Sequence, residues 1–146
     1  MAAQFQALVL EKGESGVHGS VQKLDEDSLP KGDVTVAVSH STLNYKDGLI
    51  LNGLGRLVKN YPHIPGIDFS GTVETSKNSD YVVGDQVVLT GWRVGESHWG
   101  GFAQKARVDP NWLVPMPDNL SPKRAMAIGT AGFTAMLAFM ALEDHG

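Results

Sequence analysis

From Val34 to Ser39 the valines at 34, 36 and 38 alternate with Thr35, Ala37 and Ser39, a period of two that fits a strand with one buried face and no helix. A half-buried strand needs a sheet around it. Candidate partners recur along the first 116 residues. Phe5, Ala7 and Val9 mark one face of a first strand, and Val17–Leu24 gives a second, less regular one. Lys31-Gly32-Asp33 is a turn signal before the valine strand. Further strands are expected over Gly66–Val73, at Val82–Leu89 after a turn, and over Phe102–Val108 and Trp112–Met116. Pro62 and Pro65 bracket an extended approach to Gly66–Val73, whose glycines point to close approach of backbone or ligand.

Helical signals interrupt this pattern twice. Asn44 is a preferred cap for a short helix that Gly53 is placed to end. Ser121-Pro122 opens a second helical stretch, with an expected break at Gly129 and Gly132, after which Phe133, Met136, Leu137 and Met140 recur on one face up to Gly146. Between the strands, Gly91–Gly101 is a loop rich in glycine and tryptophan, and loops carrying Trp92, His98 and Trp99 are expected to pack or to bind. The expected fold is mainly β over residues 1–120 with C-terminal helices over 121–146.

Composition narrows the chemistry. In 146 residues there are 12 Lys plus Arg, 16 Asp plus Glu and no cysteine, for a formal net charge of -4. Disulfides, thiolate nucleophiles and cysteine-rich metal sites are excluded. The mild acidity argues against a nucleic-acid partner, which needs a basic face. No secretory signal opens the chain, and the lack of cysteine fits a reducing compartment, so a cytoplasmic location is expected. Ala125–Leu142 runs eighteen residues without a charge, but six are Ala, two Gly and two Thr, so a buried helix pair is expected in place of a membrane span.

No phosphate cradle is readable. Gly53-Leu54-Gly55 lacks the third glycine of a dinucleotide fingerprint, and the histidines at 18, 40, 63, 98 and 145 do not form a helical metal pair. No metal is expected. From spacing alone, Asn44 caps a helix, Tyr45 packs and Asp47 faces water, while Thr130 between glycines reads as a helix cap. Asp68 is either a cleft residue or an acceptor for backbone donors.

Three blocks read together change that picture. Ser41-Thr42-Leu43-Asn44-Tyr45-Lys46-Asp47, Pro65-Gly66-Ile67-Asp68-Phe69-Ser70-Gly71, and Gly100-Gly101-Phe102-Ala103 leading to Gly129-Thr130-Ala131-Gly132-Phe133-Thr134-Ala135 resemble the catalytic domain of medium-chain dehydrogenases/reductases. The resemblance covers nearly the whole chain. Within that superfamily the sequence is similar to the zinc-free quinone oxidoreductase branch, and above all to bacterial NADPH-dependent acrylyl-CoA reductases, on the run Leu89–Trp92 with Gly95–Gly101. Where zinc alcohol dehydrogenases carry Gly-His-Glu this chain has Gly66-Ile67-Asp68, and Ile cannot ligate a metal. Conjugate reduction, which needs no Lewis acid, is the chemistry this favours.

The resemblance implies a GroES-like, partly open barrel. It places Asn44 and Thr130 at the nicotinamide end of NADPH and Tyr45 and Asp47 in catalysis, with Tyr45 as the best available acid. By charge count, Lys46, Arg56 and Lys59 against the single Asp47 make residues 46–59 locally basic, either a solvated face or a place where the phosphates of an acyl-CoA substrate could dock, with Arg56 and Lys59 the substrate-binding candidates; Lys46 and Asp47 could instead pair with neighbours to hold the loop. It also implies a homodimer, and a chain that continues into a Rossmann domain, so that residues 1–146 would be an inactive N-terminal piece. Without that domain the Phe133, Met136, Leu137 and Met140 face is expected to be partly uncovered. Quinone reduction, and a non-catalytic binding module on the same barrel, are the alternatives.

Overall fold

The computed structural model describes residues 3–146, and in it the valine strand lies inside a five-stranded antiparallel sheet. The strands are β1 (Gln4–Gly13), β2 (Gly16–Asp25), β3 (Val34–Ser41), β4 (Asp68–Ser76), β5 (Gln86–Thr90), β6 (Lys105–Val108) and β7 (Val114–Pro115); the helices are α1 (Tyr45–Leu51) and α2 (Pro122–His145). The large sheet runs β6-β3-β4-β5-β7, and β1 and β2 form a separate hairpin. The mainly β architecture with a helical C-terminal segment agrees with expectation.

The hairpin is stitched to the rest at two seams. Leu8 N donates to Phe102 O at 2.8 Å and Gln104 N to Gln6 O at 2.8 Å, while Leu10 and His63 exchange bonds of 2.7 and 2.9 Å. These bonds bend the two sheets into a partly open barrel. Val34, Val36, Phe69, Val73, Val87 and Leu89 fill one core, and Phe5, Ala7, Val9 and Ile64 fill a second beneath the hairpin. In β3 the alternation is imperfect: Thr35 is buried as well, and its hydroxyl accepts from Arg107 Nε of β6 at 3.0 Å. Gly71 shows why glycine sits in β4, since a Cβ there would lie 2.1 Å from the Ala37 carbonyl oxygen of β3.

Several expected boundaries move. Phe102–Val108 is a regular strand only from Lys105; its first residues bond to β1 instead. Trp112–Met116 shrinks to the two residues of β7, because Asp109 and Pro110 start a short 3-10 turn that takes up Trp112. In the Gly91–Gly101 loop the aromatics do pack. Trp99 rests on the Phe5 cluster and His98 meets Trp112 edge to face at 5.0 Å, but Trp92 is exposed.

The helix α2 departs most from expectation. It breaks once, at Gly129 (φ 50°, ψ -162°), and runs unbroken through Gly132. The buried pair foreseen for Ala125–Leu142 is buried only at Ala125, Met126 and Gly129. Beyond the break, Phe133, Met136, Leu137 and Met140 are about half exposed, as the reading of an uncovered face foresaw, and Phe139 and Leu142 on other faces are exposed too. By length and composition alone this helix could cross a membrane.

His63, buried at the hairpin seam, has Nε2 2.8 Å from the Gly95 carbonyl, so that nitrogen carries the proton and donates. Burial pushes the His63 pKa below its ordinary 6.5, helped by nearby His98 and opposed by the Gly95 bond. The unfolded chain therefore takes up this proton first as pH falls. The contribution of His63 to stability is complete above 6.5 and is lost as pH drops through the window beneath it. The drop in urea midpoint between about pH 7 and about pH 5 is expected to be smaller in His63→Gln than in the parent chain; equal drops would refute this assignment.

Candidate functional site

At one end of the sheet β3 stops at Ser41 and β4 starts at Asp68, and the Ser41 hydroxyl donates to the Asp68 carbonyl at 2.6 Å. Three segments converge there: the turn into α1, the start of β4 and the break in α2. Asn44 is the cap of α1, and the helix closes after Leu51 with Gly53 in the left-handed region, as expected. Asp47 sits three residues on, where a carboxylate can reach back to the cap. Its Oδ2 accepts from Asn44 N at 2.8 Å, and its Oδ1 accepts from Ile67 N at 3.0 Å.

Asp68 is fully buried and answers the other side of the cap. Its Oδ2 accepts from Asn44 Nδ2 at 3.1 Å and from Thr130 N at 2.7 Å, and its Oδ1 accepts the Thr130 hydroxyl at 2.5 Å. The Thr130 amide is the first after the break, so Asp68 caps the second half of α2. Gly129 is needed at that break. Its φ is positive, and a Cβ would meet Asp68 Oδ2 and Thr42 Cγ2 at 2.9 Å each.

The Asn44 amide thus bridges two buried carboxylates, with a longer 3.4 Å contact to Asp47 Oδ2. Burial pushes the Asp47 pKa above its ordinary 3.8 and the Asp68 charge adds to that, while the donors from Asn44 and Ile67 pull it back. Asp47 does not face water, and its role needs correcting. It has no exposed surface, and both oxygens are engaged inside the protein, holding the amides of Asn44 and Ile67.

Of the other expected site residues, Asn44 and Thr130 come together through Asp68, both half-buried at the surface. Tyr45 does not pack; it is 85% exposed beside the cluster. Arg56 and Lys59 lie exposed on the loop after α1, roughly 10 Å or more along the helix from Tyr45. Lys46 is not free for a phosphate, because its Nζ pairs at 2.9 Å with Glu96, a nearly buried carboxylate that Arg93 also approaches at 3.8 Å. That pair ties the Gly91–Gly101 loop to α1. Sequence reading missed Glu96: its partner is fifty residues away, and no local pattern announces it.

Among the described residues no three His, Cys, Asp or Glu side chains gather as a metal site, and Ile67 is buried beside Asp68. The cluster can offer hydrogen bonds to a planar polar ligand at Asn44 and Thr130.

Residues 30–118 match the alcohol dehydrogenase GroES-like domain family. The chain is 60% identical to acrylyl-CoA reductase AcuI of Ruegeria pomeroyi over 97% of its own length and 44% of the relative's. Among solved structures, YhdH of Escherichia coli K-12 with bound NADPH is 58% identical with a TM-score of 0.93, covering 95% of this chain and 43% of that one. The Bacillus subtilis protein YhfP with NAD bound is 44% identical with a TM-score of 0.94, over 99% and 44%. The chain therefore spans less than half the length of these relatives.

Asp47→Ala is expected to cost about 2–4 kcal/mol in denaturant unfolding, because the buried Ile67 N–H and the part-buried Asn44 N–H lose their acceptor. Tyr45→Phe, by contrast, is expected to leave stability within about 0.5 kcal/mol of the parent. Equal losses in the two variants would contradict the positions assigned to them.

Proposed function

The chain belongs to the alcohol dehydrogenase GroES-like domain family, and from that premise we propose that it is the catalytic-domain part of a longer, zinc-independent, NADPH-dependent reductase of α,β-unsaturated acyl-CoA thioesters such as acryloyl-CoA. The observation that carries the reading is the convergence of Asn44 and Thr130 on Asp68 beside the exposed Tyr45. The 60% identity to an acrylyl-CoA reductase supports the substrate class, and the NADPH in a 58% identical structure supports the cofactor. The proposal carries with it a cytoplasmic homodimer.

In this reading Asn44 and Thr130 hold the nicotinamide end of the cofactor, and residues beyond this chain hold its diphosphate. NADPH, when bound, supplies the hydride that adds to the β-carbon of the acyl group. Asp47 and Asp68 keep Asn44 and Thr130 in place without contacting the substrate, so little reorganisation is left for the reaction itself. Charge develops on the thioester oxygen and the α-carbon of the substrate. The Tyr45 hydroxyl donates a proton at that α-carbon. Arg56 and Lys59 attract the phosphates of the CoA moiety.

The experiment uses the full-length enzyme carrying this chain and follows NADPH oxidation by acryloyl-CoA and by a quinone. Preference for acryloyl-CoA is expected; preference for the quinone would replace the substrate assignment. Tyr45→Phe should lower single-turnover reduction by about 10²-fold with NADPH affinity unchanged. Undiminished turnover would take the proton role from Tyr45. Arg56→Ala and Lys59→Ala should each raise KM for acryloyl-CoA by about three- to tenfold, and should leave an acryloyl thioester that lacks the CoA phosphates unaffected.

A further inference from the structure

The hydrogen-bond inventory at Asp68 leaves little freedom. Its partners are two N–H groups, which can only donate, and one hydroxyl. A carboxylate meets all three by accepting throughout. The Thr130 hydroxyl has a single proton, and that proton is spent on Asp68 Oδ1. What remains on Thr130 Oγ1 is lone-pair capacity alone. The backbone beneath is also fixed, because the same carboxylate holds Thr130 N and the φ of Gly129 cannot be adopted cheaply by another residue.

We propose that Asp68 is a positioning residue that locks the Thr130 hydroxyl as an acceptor, so that the site at Thr130 selects a ligand group with an N–H to give, the amide of a carboxamide. This rests on the NADPH reading above and deepens it by naming the group read and the residue that sets the polarity. An Asn at position 68 is the informative change. Its carbonyl can still take the N–H groups of Asn44 and Thr130, but its NH₂ would point at the Thr130 oxygen. The hydroxyl would then turn its proton outward, and the site would become a donor.

The test compares binding of NADPH with binding of its reduced 3-acetylpyridine analogue, in which a methyl replaces the amide NH₂, to the full-length enzyme. The parent enzyme should prefer NADPH by about tenfold. Asp68→Asn should reduce that ratio to about one, and so should Thr130→Val, which keeps the backbone bond to Asp68 while removing the hydroxyl. Thr130→Ser should restore the parent ratio. A merely structural role for Asp68 would weaken both ligands together and leave the ratio intact, which overturns the inference. A ratio near one in the parent enzyme overturns it as well. If Asp68→Asn fails to fold, Thr130→Val and Thr130→Ser decide. Failure of the parent enzyme to bind NADPH at all would instead refute the cofactor reading, and this inference with it.

Discussion

A carboxylate taken out of water must be met by donors, and at Asp68 those donors come from two segments far apart in the chain. Asn44 reaches it from the cap of α1 and Thr130 from the break in α2. Each segment is bound to meet the other because both must meet Asp68. The surrounding sheet makes the meeting possible: Ser41 fixes the carbonyl of the same residue, and the Ser70 hydroxyl donates to Pro122 O at the start of α2. Asp47 repeats the device on a smaller scale by joining the α1 cap to the backbone at Ile67. Two buried acids thus tie these segments together through hydrogen bonds.

The sequence showed what local physics decides. Period-two patterning located β1 and β3, the prolines at 62 and 65 with the glycines after them pointed to β4, the Asn44 and Gly53 signals bounded α1, and the Ser121-Pro122 pair started α2, because each depends on residues a few positions apart. Non-local terms account for the misses. Asp47 looked solvent-facing because its second partner is the amide of Ile67, twenty residues on. The partner of Lys46 could not be read locally, because Glu96 answers it across fifty residues. The helical periodicity at Phe133, Met136, Leu137 and Met140 announced an apolar face correctly, but periodicity carries no information about whether a partner is present. Of the candidate site, Asn44 and Thr130 were legible only through family resemblance; that Asp68 joins them is a matter of tertiary structure.

The fold alone would not single out a chemistry, since the same barrel architecture serves unrelated functions. What distinguishes this chain is the set of side chains at one end of the sheet. A buried Ile67 stands beside Asp68, and the acid engages hydrogen-bond donors from Asn44 and Thr130. The result is a polar cluster built on rigid elements with an exposed tyrosine at its edge.

The break at Gly129 has a mechanical consequence. From Thr130 to His145 the helix runs sixteen residues beyond the break, about 24 Å of rod, attached at its base to the same carboxylate that holds Asn44. Such a rod is a lever with its fulcrum at Asp68. By geometry alone, a tilt of about 5° at Thr130 carries its far end roughly 2 Å. The exposed faces of α2 therefore lie on the long arm, and the hydrogen bonds of Asp68 on the short one.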